Sequence, residues 1–188
     1  MESRPDPPPV TELEEGLIHE GRVFNLSRRR IRLPSGLEQA LDVIRHPGAA
    51  AIAAVTASGE MLLVRQYRAA VDRWMLEVPA GRLDPGEDPL AAARRELEEE
   101  TGYRARSWSL LREFLPAPGF CDEWIHLFEA RDLKLVPDGG LDCDDDEELE
   151  LVLMRPEEVL KLEPADAKTL VAAHLLLAGD AGPTREQT

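Results

Sequence analysis

Cysteine is scarce: the 188 residues hold only Cys121 and Cys143. Two are too few for a disulfide framework, and neither has a second Cys or a His at metal-ligand spacing. The four histidines, His19, His46, His126 and His174, are scattered and read as surface or packed residues. Long apolar runs are lacking too. No stretch approaches the roughly 18 consecutive apolar residues of a membrane span, and the opening "MESRPDPPPV" is charged and proline-rich, unlike a signal peptide or an anchor. No internal repeat is visible. A cytoplasmic protein without a membrane partner is expected. Basic residues are in deficit, 22 against 37 acidic, for a formal charge of −15. That balance argues against a nucleic-acid backbone as partner.

What is present is acid, and it is uneven. One cluster holds Glu87, Asp88, Glu96, Glu98, Glu99 and Glu100; another holds Asp142, Asp144, Asp145, Asp146, Glu147, Glu148 and Glu150. If both meet at one pocket, they make a metal site.

The length suits one domain with a substantial core. Residues 1–15 and the tail 179–188 read as disordered, 16–46 as an N-terminal β-hairpin region, and 47–178 as the main domain. Within 16–46, residues 22–33 and "LEQALDVIR" flank a Pro34-Ser35-Gly36 turn. "AAIAAVT" and "MLLVRQYR" around Ala57-Ser58-Gly59-Glu60 read as a second hairpin, whose first strand is apolar enough to be central. "WMLEVPA" at 74–80 reads as one short strand, and further strands are expected at 106–115 and 124–130. An acidic loop at 136–148 feeds "LELVLM"; Pro156 opens a short helix before a longer amphipathic one at 165–178. Mixed strands with a few helices indicate α+β or an α/β sandwich.

The stretch "RRELEEETGY" at 94–103 poses a physical problem. Asp88 as N-cap, Pro89 at the first helical position and Gly102 past the end predict a helix over 88–101. Like charges three or four positions apart on a helix destabilise it by a few tenths of a kcal/mol per pair. At about 100° per residue, with Glu96 at zero, Glu99 lies near −60°, Glu100 near +40° and Glu98 near 200°. Three glutamates thus share one arc beside an apolar stripe of Leu90, Ala93 and Leu97, where repulsion is poorly screened. A divalent cation with oxygen ligands would relieve it.

Gly81, Glu87, Arg95-Glu96-Leu97, Glu99-Glu100 and Gly102-Tyr103 fall at the spacing of the Nudix box. Seven of these positions are fixed in the box, and with about 6% usage per residue type a chance match is on the order of one in a billion per starting point. The chain therefore resembles the Nudix hydrolases. It is similar to the members that cleave ADP-ribose at "RQYR" (65–68), at "EVPAG" (77–81), and in Pro118, 16 residues past Gly102.

The resemblance implies an α/β fold: a Nudix-type α/β/α sandwich around a mixed sheet, with an extra N-terminal antiparallel hairpin exchanged between the protomers of a homodimer. It implies Mg2+, with Mn2+ as alternative, in two or three ions held by Glu96, Glu99, Glu100 and the carbonyl of Ala80. Arg95 would orient Glu99 through an ion pair. Arg68 would contact phosphate or the adenosine side, with a surface ion pair as the alternative, Glu123 the terminal ribose, and Phe24 and Arg45 the adenine across the dimer. Ordinary packing competes for Phe24 and Arg45, and packing in the core or at the rim for Trp74 and Trp124. Glu87 is expected to brace the loop. Ligated carboxylates are weak bases, so the base is sought on the second acidic cluster: Glu147 first, Asp145 second, Glu148 and Glu150 after them. The implied reaction splits ADP-ribose into AMP and ribose 5-phosphate. Its rivals are another nucleotide substrate, such as GDP-mannose, a nucleoside triphosphate or a dinucleotide, and a sensor that binds ADP-ribose without cleaving it.

Overall fold

The computed structural model describes residues 8–137 and 149–179. The chain divides into two compact units, Met1–His46 with Ala117–Glu123, and Pro47–Pro116 with Trp124–Thr188.

The first unit is an antiparallel sheet of β1 (Thr11–Glu20), β2 (Asn25–Arg32) and β3 (Glu38–Arg45), in that order. β1 runs into the 1–15 segment that composition assigns to disorder. Its acids meet the arginines of β2 across the strands: Arg29 bonds Glu12 at 2.6 Å, and Arg30 lies 3.5 Å from Glu14. Opposite charges facing each other across an antiparallel pair favour pairing even where little apolar surface is buried. The region expected as a hairpin is thus three-stranded. Residues 117–123 close it, with the amide of Ile44 donating to the carbonyl of Phe120 at 2.8 Å.

The second unit contains β4 (Ala49–Ala54), β5 (Met61–Arg68), β6 (Arg73–Glu77), β7 (Ala80–Arg82), α1 (Pro89–Thr101), β8 (Tyr103–Arg104), β9 (Ser107–Phe114), β10 (Ile125–Arg131), β11 (Lys134–Leu135), β12 (Glu150–Met154), α2 (Pro156–Val159) and α3 (Ala167–Ala178). A mixed sheet runs β7-β4-β10-β9, with β4 parallel to β10 and the other pairs antiparallel. An antiparallel sheet runs β12-β5-β6.

β4 is central, as its apolar run predicts. Side chains alternate across a strand, so Ala50, Ile52 and Ala54 join Ala92, Ala93 and Leu97 of α1 in one core cluster. Ala51 and Ala53 join Val159 of α2 and Ala172 and Ala173 of α3 in another. Helices thus cover both faces, giving the expected α/β/α sandwich. No helix among the described residues is long and apolar enough to cross a membrane.

Two sequence expectations are corrected. β4 and β5 do not form a hairpin; only the bridge Val55–Met61 joins them at the turn. A strand has two edges, and those of β4 are taken by β7 and β10, so β5 passes to the other sheet. Residues 74–80 are likewise two strands. Pro79 has no amide hydrogen to continue the β6 ladder, and from Ala80 the chain pairs with β4 as β7.

Candidate metal and catalytic site

The phase of α1 is fixed by its ends. Asp88 accepts from the amides of Leu90 and Ala91, both at 3.1 Å, and Gly102, at φ 71°, closes the helix with its N–H on the Glu98 carbonyl at 2.8 Å. A positive φ is cheap only for glycine. With the helix anchored there, Ala93 and Leu97 are fully buried and Glu100 is 7% exposed. Glu98 faces away and pairs with Arg104 at 2.5 Å.

The acidic arc converges on the Ala80-Gly81 segment and on Arg95. Glu100 accepts the amide of Ala80 at 3.1 Å through Oε2. Glu96 lies flat against Gly81: a Cβ built there would overlap the Glu96 carboxylate. This close approach, and not a positive φ, is why glycine stands at 81.

Nη1 of Arg95 donates to Glu96 at 2.6 Å and to Glu99 at 2.9 Å, while Nε and Nη2 each reach Glu87 at 3.1 Å. Nη2 also donates to the carbonyl of Arg82 at 3.2 Å. The bonds to Glu87 raise the Arg95 pKa above its ordinary value, against burial and with help from Glu96 and Glu99. Glu87 is pulled below the usual carboxylate range by Arg95 and by the amide of Asp84, which it accepts at 3.0 Å. Glu87 thus braces the loop that leads into α1, and Arg95 makes the ion pair with Glu99 expected from their spacing.

Among the described residues no three Asp, Glu, His or Cys side chains are arranged to hold a metal ion. Glu96 and Glu99 share the cation of Arg95, and Glu100 is turned to a backbone amide. The donor set still suits a hard divalent cation, since carboxylates and a backbone carbonyl are the oxygen ligands that Mg2+ takes. The space left by the missing side chain at Gly81 is taken by the Glu96 carboxylate, which lies against the Gly81 backbone.

Arg68 makes a bidentate pair with Glu77, at 2.7 and 2.8 Å. Glu77 is 3% exposed and is also paired with Lys168. Burial pushes its carboxyl up, but Arg68 and Lys168 outweigh that and hold its pKa at about 2. This cluster was missed in the sequence, although a glutamate inside the apolar "WMLEVPA" is a signal: buried carboxylates are almost always paired.

The other expected substrate residues lie in the first unit. Arg45 bonds Asp122 at 2.8 Å and Glu15 at 2.7 Å, and Glu123 stands 3.6 Å from His46. Phe24 is 41% exposed. Glu147, Asp145 and Glu148 lie outside the described residues. Glu150 opens β12 and pairs with Arg65 at 2.9 Å on the surface.

Comparison with known proteins bears on this arrangement. The chain is 39% identical to the ADP-ribose pyrophosphatase of Bacillus subtilis (strain 168) over 163 residues, 85% of this chain and 88% of the relative. It is 38% identical to the methanol dehydrogenase activator of Bacillus methanolicus over 163 residues, with the same shares of the two chains. With the GDP-mannose pyrophosphatase of Cronobacter sakazakii it shares 35% over 159 residues, 73% of this chain and 82% of the relative. The fold matches the crystal structure of an ADP compounds hydrolase at TM-score 0.78, over 94% of this chain and 96% of that one; at 23% identity this likeness speaks for the fold. The NUDIX domain model matches residues 44–173, which include every box residue of α1 and its loop, and the chain belongs to that family.

Proposed function

We propose that the protein hydrolyses the pyrophosphate bond of ADP-ribose, giving AMP and ribose 5-phosphate, as a Mg2+-dependent cytoplasmic homodimer. The observation that carries this reading is the 39% identity to an ADP-ribose pyrophosphatase across most of both chains. The intact arc of Glu96, Glu99 and Glu100 supports cleavage over mere binding, because a silent sensor has no use for three metal-binding carboxylates.

Water attacks one phosphorus and the bridging P–O bond breaks; the negative oxygens around it repel the nucleophile. Mg2+, or Mn2+ in its place, in two or three ions, would supply positive charge to those oxygens and lower the pKa of the attacking water. The residues that would hold it are Glu96, Glu99, Glu100 and the carbonyl of Ala80. Arg95 aims Glu96 and Glu99, and Glu87 fixes Arg95. Glu147 takes the proton from water, with Asp145 as the alternative. Arg68 and Glu123 recognise the substrate, as do Arg45 and Phe24 across the dimer.

Similarity to a GDP-mannose pyrophosphatase gives the second reading. A panel of ADP-ribose, GDP-mannose, nucleoside triphosphates and dinucleotides with Mg2+, with products read by chromatography, separates the two. AMP from ADP-ribose with poor turnover of the others is expected. Preferential cleavage of GDP-mannose would reverse the order, and no turnover of any diphosphate would favour a sensor.

A further inference from the structure

We infer that the first turn of α3, through Asp166, Lys168 and Thr169, is a positioning clamp that sets the Ala80 backbone and Glu100 for metal binding. This rests on the reading above in taking Ala80 and Glu100 as metal ligands.

The segment Glu77-Val78-Pro79-Ala80 is held at every residue. The Glu77 carboxylate is gripped by Arg68 and Lys168. The amide of Val78 donates to Oγ1 of Thr169 at 2.9 Å, and that hydroxyl donates to Asp166 at 2.7 Å. The carbonyl of Pro79 accepts from Ile52 at 2.9 Å, and the amide of Ala80 donates to Glu100 at 3.1 Å. Thr169 is completely buried, so its hydroxyl has no water to fall back on. Its direction is dictated by Asp166, which also caps α3 by accepting the amide of Thr169 at 3.0 Å. Lys168 lies 3.2 Å from Asp166 and so ties the cap to Glu77.

The link between Val78 and Ala80 is stiff. Proline fixes its own φ and restricts the residue before it to extended conformations, and valine is branched at Cβ. A displacement at Val78 therefore passes to Ala80 and, through the Ala80 amide, to Glu100. Outer partners that orient metal ligands commonly affect metal affinity by 10- to 100-fold. Nothing on α3 itself supplies a ligand in this scheme; its turn acts through the strap.

The test is Mn2+ binding to the full-length protein without substrate, read by electron paramagnetic resonance and calorimetry. Thr169→Val keeps the shape but removes the hydroxyl, and a roughly 10-fold weaker Mn2+ affinity is expected; Thr169→Ser should restore wild-type affinity. Lys168→Met loosens the same strap from the Glu77 side and should weaken Mn2+ binding several-fold, which keeps the test standing if Thr169→Val does not fold. Leu111→Ala, a buried change on β9, controls for general softening and should leave affinity unchanged. Wild-type affinity in folded Thr169→Val or in Lys168→Met would overturn the clamp, as would an equal loss in Leu111→Ala. Because no substrate is present, a failure here stands apart from failure to cleave ADP-ribose, which the substrate panel reads.

Discussion

At the scale of single residues, the site turns on which glutamates face the strap and which face water. Glu100 is buried and bonded to the Ala80 amide, whereas Glu98 is on the far side with Arg104. Glu100→Gln should lose several orders of magnitude in kcat, since a neutral amide is a poor Mg2+ ligand, while its melting temperature stays near wild type. Glu98→Gln should be nearly silent. Equal turnover of Glu100→Gln and wild type at saturating Mg2+ would sink the assignment. The base is a separate question: Glu147→Gln should lower kcat by roughly 10², with KM and Mg2+ affinity nearly unchanged, and Asp145→Asn in parallel tests the register. Weaker Mg2+ binding in Glu147→Gln would make that residue a ligand instead. The arc was legible in the sequence because helical phase is arithmetic once both caps are known. The grip of Arg95 on Glu96 was not, since neighbours one position apart on a helix do not normally face each other; Nη1 reaches Glu96 while Glu87 holds the other side of the guanidinium.

At the scale of elements, caps and periodicity gave α1 to within a residue, and the order of strands was readable. Their pairing was not. Turn residues between β4 and β5 look like a hairpin, but only the whole set of strands shows that both edges of β4 are taken. The strap between β6 and β7 is similar: Pro79 ends one ladder, and the sheet that receives Ala80 is a tertiary matter. Charge on that strap has a measurable consequence. Glu77 has a folded pKa of about 2 against an ordinary 4.5, so its ionised form stabilises the fold. A depressed carboxylate pKa contributes fully above its unfolded value and is lost as pH falls through the folded one, here between about 4.5 and about 2. The contribution at neutral pH is on the order of a few kcal/mol. Glu77→Gln should be much less stable at pH 7, because Arg68 and Lys168 lose their counter-charge, but it should lose less than wild type on acidification across that window. Urea unfolding of both proteins at pH 6, 4 and 3 gives the difference curve, in which the other carboxylates cancel. Parallel curves would mean that Glu77 is not held ionised by its partners.

At the scale of the whole molecule, the two units differ in what they bury. The second has two apolar clusters, one on each side of its central sheet. In the first, Ser27 is the only buried residue of the described set, while Leu17, Ile18, Val23, Phe24, Leu41 and Phe120 are each more than 40% exposed. Its strands are held by cross-strand ion pairs that are largely in water, such as Arg28 with Asp42 at 2.8 Å, and exposed pairs of this kind contribute at most about 1 kcal/mol each. A three-stranded sheet without a core of its own is marginal, and its exposed apolar side chains support the proposed homodimer, in which a second copy of the chain would cover the sheet. Sedimentation at micromolar concentration should therefore give twice the chain mass of 20.9 kDa, with an affinity that resists salt because burial of apolar surface is its main term. Removing residues 1–46 should yield a protein that aggregates or loses turnover of ADP-ribose, since Phe24 and Arg45 go with it. A monomer at those concentrations would overturn the dimer, and a soluble truncated protein with full activity would show that turnover does not need the N-terminal sheet.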